Sequence, residues 1–182
     1  MIKLSVFVAA SIGIFSVSRR SLRNPRSHGF FRFFAFELLV ILILVNADGW
    51  FSDALSPIHI ISWFLLLCSA ILALNGFVLL RHVGKSEESD ESDTLFRFER
   101  TTALVTVGLY GYIRHPLYSS LLFLAWGSFL KELSPISFFL VAAITANAIA
   151  TARVEESENL QRFGTEYSAY MKTTKKFIPF LY

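Results

Sequence analysis

The chain has 182 residues, 54% of them hydrophobic and 17% charged, with a mean hydropathy of +0.53. That apolar share lies above the ~45 to 50% of soluble domains, which excludes an ordinary water-soluble enzyme and leaves a membrane protein one compact unit long. The net charge of +3 does not point to nucleic acid, because the basic residues are dispersed between apolar runs; the bias reads as membrane topology.

Ile2 to Val17 is apolar apart from Lys3 and a few small hydroxyls, and Arg19, Arg20, Arg23, Arg26 and Arg32 follow it. A cleaved signal peptide carries its charge before the apolar run, so charge placed after it predicts an uncleaved first helix with a cytoplasmic C-terminal end. The arginines read as a topology signal with anionic-lipid contact. At ~1.5 Å per residue the run reaches only about 25 Å, a marginal crossing. Phe30 to Val45 is the second run. It ends in NADGWFSDALSP, a loop without a basic residue that is expected to face outward. Ile58 to Leu80 is the third and cleanest run, and Arg81, His82 and Lys85 return it to the cytoplasmic side. Cys68, alone in that run, reads as a small buried packing residue.

Lys85 to Asp93, KSEESDESD, is an acidic insert that cannot bury apolar surface and reads as a solvated loop. Pro116 to Leu130 and Pro135 to Thr151 then predict a helical hairpin around the turn Lys131 to Ser134. Of the 17 Lys and Arg residues only Lys3 and Lys131 fall on the predicted outer side. The expectation is therefore all-α: an integral membrane protein with five transmembrane helices, N-terminus out and C-terminus cytoplasmic, in the cell (inner) membrane if the host is prokaryotic. After the hairpin, Leu160, Phe163, Tyr167, Tyr170 and Met171 recur at helical spacing. They predict an interfacial amphipathic helix, on the membrane surface or on the loop beside it, that Gly164 bends or breaks. The whole reads as one domain, 1–182, divided into three N-terminal helices (1–80), a cytoplasmic loop (81–115), the hairpin (116–151) and a cytoplasmic tail (152–182).

The chemistry gathers at the cytoplasmic face. Leu104 to Tyr118, LVTVGLYGYIRHPLY, places Arg114 and His115 directly before an apolar helix, where charge is costly and therefore marks a functional candidate. Pro116 suits the first helical position, which needs no amide donor. Taken alone, Arg114 and His115 also fit an interfacial anchor. Glu155 and Glu156 follow the last helix, and for Glu156 a solvated role is the expectation. Tyr167 and Tyr170 read as packing or interface residues. His28, His59 and His82 lack ligand-like spacing, so no metal is expected, and no Walker loop, GxGxxG or CxxC pattern occurs.

RHPLY at Arg114 to Tyr118, the pair Glu155 and Glu156, and FGTEYSAY followed by FIP together resemble the isoprenylcysteine carboxyl methyltransferase family, itself related to phospholipid methyltransferases. The resemblance runs from about Thr102 to the C-terminus with its elements in the family's order. It implies a membrane enzyme that moves a methyl group from S-adenosylmethionine to a lipophilic or lipidated acceptor. Carried over by position, the cofactor-binding residues are Thr102, Ala103, Leu104, Val105, Tyr110, His115, Pro116, Leu117, Tyr118 and Glu155, with Arg114, His115 and Glu155 as the catalytic set. Ser120 stands where the family has glycine. Thr151 stands where it has the arginine that holds the prenylcysteine carboxylate, and Arg153 lies on a different part of the helix face. The acceptor end thus departs from the family while the cofactor end keeps its pattern. An amine acceptor, or a noncatalytic lipid-binding role, remains the alternative.

Such a cofactor carries an ammonium and a carboxylate at its amino-acid end. A helix starting at Pro116 offers amides and dipole to the carboxylate, helped by Arg114 or His115, while Glu155 suits the ammonium. Tyr110 and Tyr118 suit the adenine or sulfonium region, where aromatic faces attract cations.

Overall fold

A computed structural model describes residues 1–83, 103–179 and 181. The acidic insert Lys85 to Asp93 and Thr102 lie outside the described residues. Six α-helices follow in order: α1 (Ile2–Ser18), α2 (His28–Val45), α3 (Pro57–Val83), α4 (Pro116–Phe129), α5 (Pro135–Phe163) and α6 (Thr165–Thr173). Among the described residues there is no strand, only an isolated parallel bridge between Ile113 and Lys175.

Three helices, α2, α3 and α5, are long and apolar enough to cross a membrane. The expected five crossings are thus matched by three helices of full length: α1 has 17 residues and α4 only 14, so α4 spans about 21 Å at ~1.5 Å per residue. Large side chains such as Phe64, Leu67 and Leu74 of α3 and Ile136 and Phe139 of α5 are exposed on the outside of the bundle, as lipid-facing residues should be.

Helix pairing follows small residues, since lipid supplies no hydrophobic drive between helices and close backbone approach must serve instead. On α3 the buried Ser62, Ser69 and Gly76 recur every seven residues and form one stripe. Helix α4 lies along it. Ser62 Oγ donates to the Gly127 carbonyl at 2.7 Å and Ser69 Oγ to that of Ser120, also at 2.7 Å. A Cβ on Gly127 would lie 3.0 Å from Leu66, and one on Gly76 3.1 Å from Leu117 Cδ2, so both positions depend on the missing side chain. Between α2 and α5 the seam is apolar: Ala35, Leu39 and Leu42 meet Val141 and Ile144, with Leu121 and Ala125 of α4 completing the cluster. Cys68, expected to be buried, is half-buried in the wall of an apolar groove, because α3 turns only its small-residue stripe inward.

Helix α5 corrects the sequence reading. The second hairpin helix does not end near Thr151 but runs on to Phe163, because no glycine or proline interrupts the helix formers between them. Gly164 then stops it at φ +57°, a left-handed conformation that glycine adopts without Cβ strain, and α6 sets off afresh. The expected amphipathic stripe is therefore split between two helices. The aromatic face of α6 packs on the protein rather than on lipid: Tyr167 and Tyr170 are buried, and Tyr170 Oη donates to the Tyr110 carbonyl at 2.6 Å.

Candidate functional site

Pro116 occupies the first position of α4, and His115 before it takes a non-helical φ of −123°. The chain leading there, from Leu104 through a single 3₁₀ turn at Gly108–Gly111, lies under α6 and against the end of α3, where Tyr110 Oη reaches the Gly76 carbonyl at 3.5 Å. A short parallel ladder fixes this turn to the C-terminal segment. Arg114 N–H donates to Lys175 O at 2.8 Å, His115 N–H to Lys176 O at 3.2 Å, and Lys175 N–H to Tyr112 O at 3.0 Å.

Glu156 is the electrostatic centre of this end of the bundle, which corrects the expectation of a solvated carboxylate. It is buried, and it accepts from Arg114 Nε at 2.9 Å and faces His115 Nε2 at 3.3 Å and Lys176 Nζ at 2.7 Å. It lies beyond the apolar stretch of α5, which ends at Ala152. Burial alone would raise its pKa, but hydrogen bonds from His115, Lys176 and Arg114 outweigh that and hold it at about 2. Arg114 also donates to the carbonyls of Met171 and Thr174. Its guanidinium is thus committed to closing the protein's own tail over the turn, and is not held in reserve for a ligand.

A pocket of mixed polar and apolar lining opens between this turn and the polar extension of α5. Of the ten residues predicted to hold a cofactor, eight line it: Leu104, Val105, Tyr110, His115, Pro116, Leu117, Tyr118 and Glu155. Ala103 does not line it, and Thr102 lies outside the described residues. Arg114 reaches its wall as well. His115 sits between the paired carboxylates, 3.9 Å from Glu155 Oε1 through Nδ1 and 3.3 Å from Glu156 Oε1 through Nε2. Its ring stacks obliquely on Tyr118, with centroids 5.4 Å apart. Glu155 keeps 28% of its side chain exposed and points at the pocket.

The sequence reading missed Glu158, Asn159 and Arg162, which share the wall with Glu155. Their signal was present in the spacing: positions three, four and seven after Glu155 face the same way once α5 is continued past Thr151. Tyr167 and Tyr170, read as packing residues, do pack, and their rings also close the pocket. Burial pushes both phenols well above their ordinary range, so they stay protonated as donors. Thr151, where the family's arginine is absent, is buried and donates to the Asn147 carbonyl of its own helix at 2.7 Å. Among the described residues no three His, Cys, Asp or Glu side chains cluster as a metal ion would require.

Behind Tyr118 the chain changes character. Tyr118, Ala152 and Phe177 form an apolar partition, and two almost purely apolar grooves flank Phe177, one along α4 and α5 through Leu122 and Ile149, the other along α3 through Cys68 and Leu72.

Spanning helices of this length, with a charged and aromatic pocket where one of them leaves its apolar stretch, define an integral membrane protein with a pocket at one end of its bundle. The profile of the phospholipid methyltransferase family matches residues 57–166, more than half of the 182-residue chain. The chain belongs to that family, which is related to the isoprenylcysteine carboxyl methyltransferases, and the match takes in α3, α4, α5 and the paired glutamates. No curated protein and no solved structure gave a match.

Proposed function

We propose that this protein transfers the methyl group of S-adenosylmethionine to a lipophilic acceptor at the cytoplasmic membrane face. The observation that carries the reading is the pocket itself, in which Glu155, His115 and four tyrosine rings converge on one opening. The residues fit an amphoteric, partly aromatic cofactor. Among the described residues Glu155 has no ion pair closer than His115 Nδ1 at 3.9 Å, so its carboxylate is available to an ammonium. Leu104, Val105 and Leu117 offer an apolar wall to an adenine ring, and Tyr110 and Tyr118 offer faces to a sulfonium. When bound, the cofactor supplies a methyl group on a positively charged sulfur.

The chain's part is to align and to exclude water. The Tyr118, Ala152 and Phe177 partition keeps the charged pocket apart from the apolar grooves, so an acceptor tail lying in hydrocarbon brings its headgroup to the Tyr118 side. His115 Nδ1, turned toward Glu155, is the group placed to take a proton from an acceptor that has one to lose.

A second reading, N-methylation of a phospholipid or small amine, is favoured by Thr151. Its hydroxyl is spent within α5, leaving no cation there for an acceptor carboxylate. Purified protein given S-adenosylmethionine with a radiolabelled methyl group, in membranes of known lipid content, tests both readings. Label in base-stable amine supports N-transfer and label in base-labile ester supports O-transfer. Absence of cofactor binding and of label would leave a noncatalytic lipid-binding protein.

A further inference from the structure

A zwitterionic amino-acid end needs a cation as well as Glu155, and the two cations adjoining Glu156 are spent: Arg114 and Lys176 both pair with it. Arg162 stands elsewhere. It lies two turns beyond Glu155 on the face of α5 that lines the pocket. Among the described residues no carboxylate pairs with it; its guanidinium carbon lies 5.2 Å from the Phe163 ring centroid.

That freedom is unexpected from sequence alone. Glu158 precedes Arg162 by four residues, the orientation in which a glutamate and a following cation pair on a helix surface. Glu158 is drawn the other way. One of its oxygens accepts from the backbone N–H of His28 at 3.2 Å, and the other meets His28 Nδ1 at 2.5 Å. His28 is the first residue of α2 and is itself buried, so the N-terminal end of α2 holds both oxygens of the glutamate at once.

We propose that Arg162 binds the carboxylate of the cofactor, and that His28 keeps it available by holding Glu158 away from it. Glu155 and Arg162 then bracket the amino-acid end as opposite charges, and His28 acts as a positioning residue. It comes from α2, outside the stretch that matches the family profile, and acts on the pocket through Glu158.

This assignment rests on the pocket being the cofactor site, and the test separates the two. Dissociation constants of the full chain in detergent are measured by calorimetry for S-adenosylmethionine and for its decarboxylated analogue, which keeps the ammonium. Arg162→Ala should weaken S-adenosylmethionine about tenfold or more and leave the analogue unchanged, with Arg162→Lys recovering part of the loss. His28→Ala should weaken S-adenosylmethionine by releasing Glu158 onto Arg162, and adding Glu158→Gln should restore it, a rescue that mere loss of packing would not show. If the wild type binds neither ligand, the cofactor reading fails and this one with it. If the wild type binds both and Arg162→Ala weakens them equally, or Glu158→Gln brings no rescue, the assignment of Arg162 and His28 alone is overturned. Should His28→Ala fail to fold, the comparison of ligands on the exposed Arg162 decides the matter.

Discussion

Arg114 Nε donates to Glu156 Oε1 at 2.9 Å, with both side chains about nine-tenths buried. A buried pair of this kind is a poor source of net stability but very costly to break on one side, because the survivor is left charged and unsolvated. Glu156→Ala strands Arg114 and Lys176 together. The expected loss is about 3 kcal/mol or more, read as a fall in the thermal unfolding midpoint of detergent-solubilised protein. Glu156→Gln, which keeps a carbonyl oxygen toward Arg114, should lose less.

The same carboxylate sets a pH dependence. Its pKa is about 2 in the folded protein against an ordinary 4.5. A depressed acid adds stability that is complete above its unfolded value and disappears as pH falls through the folded one. Stability attributable to Glu156 should therefore be flat above about pH 5 and decline between about 4.5 and 2, while Glu156→Gln should lack that part of the decline. Unfolding midpoints of the two proteins across this range provide the comparison.

Glu155 and Glu156 are neighbours with opposite duties, and substitution should separate them. Glu155→Gln removes a partly exposed charge whose nearest ion partner among the described residues is His115 Nδ1 at 3.9 Å, so stability should fall little, by about 0.5 kcal/mol or less. Binding of S-adenosylmethionine should weaken by about tenfold or more as the ammonium loses its counter-ion. A variant that loses stability as much as binding would show that Glu155 is a structural residue.

Gly76 ties the pocket to the membrane helices. It lies under Leu117 and Pro116, and its carbonyl meets Tyr110 Oη. Gly76→Val puts branched carbons where even a Cβ approaches Leu117 to 3.1 Å, and should push α4 and the turn before it away from α3. Overpacking of this kind costs about 1 to 3 kcal/mol. Cofactor affinity should fall with stability, in contrast to Glu155→Gln.

What the sequence disclosed depended on where the physics was local. Pro116 as a first helical residue, Gly164 as a stop and the apolar runs are properties of a few adjacent residues, and each is found where the pattern put it. The wall made by Glu155, Glu158, Asn159 and Arg162 was legible only after the length of α5 was known. The fate of Glu156 was not legible at all. Its partners Arg114, His115 and Lys176 arrive from the turn before α4 and from the C-terminal segment, and nothing in the spacing of a glutamate pair says which member will be enclosed. His28 is a similar case. Dismissed for lack of histidine partners, it meets a glutamate 130 positions away.

Lys131, in the turn between α4 and α5, lies at the far end of α4 from the pocket. It is only 3% exposed, and its ammonium stands 3.3 Å from the Trp63 ring centroid and 5.8 Å from that of Trp50. The side chain is enclosed by two rings that meet edge to face instead of extending into water, and its carbonyl faces His59 Nε2 at 3.1 Å. This contact clamps the α4–α5 turn onto α3 and the preceding loop. Gly49 makes the closure possible, since a Cβ there would lie 2.5 Å from the Lys131 carbonyl oxygen. A desolvated cation on tryptophan contributes about 2 kcal/mol. Lys131→Met, which keeps the stem and deletes the charge, should lower stability by about that amount, and Trp63→Leu by at least as much. The double variant should lose clearly less than the two singles added together, because both delete one contact. Unfolding midpoints in lipid nanodiscs measure the cycle, and losses that simply add would show that the ammonium gains nothing from the ring. Affinity for S-adenosylmethionine should stay within about twofold of wild type throughout, since α4 places about 20 Å of helix between this clamp and Pro116.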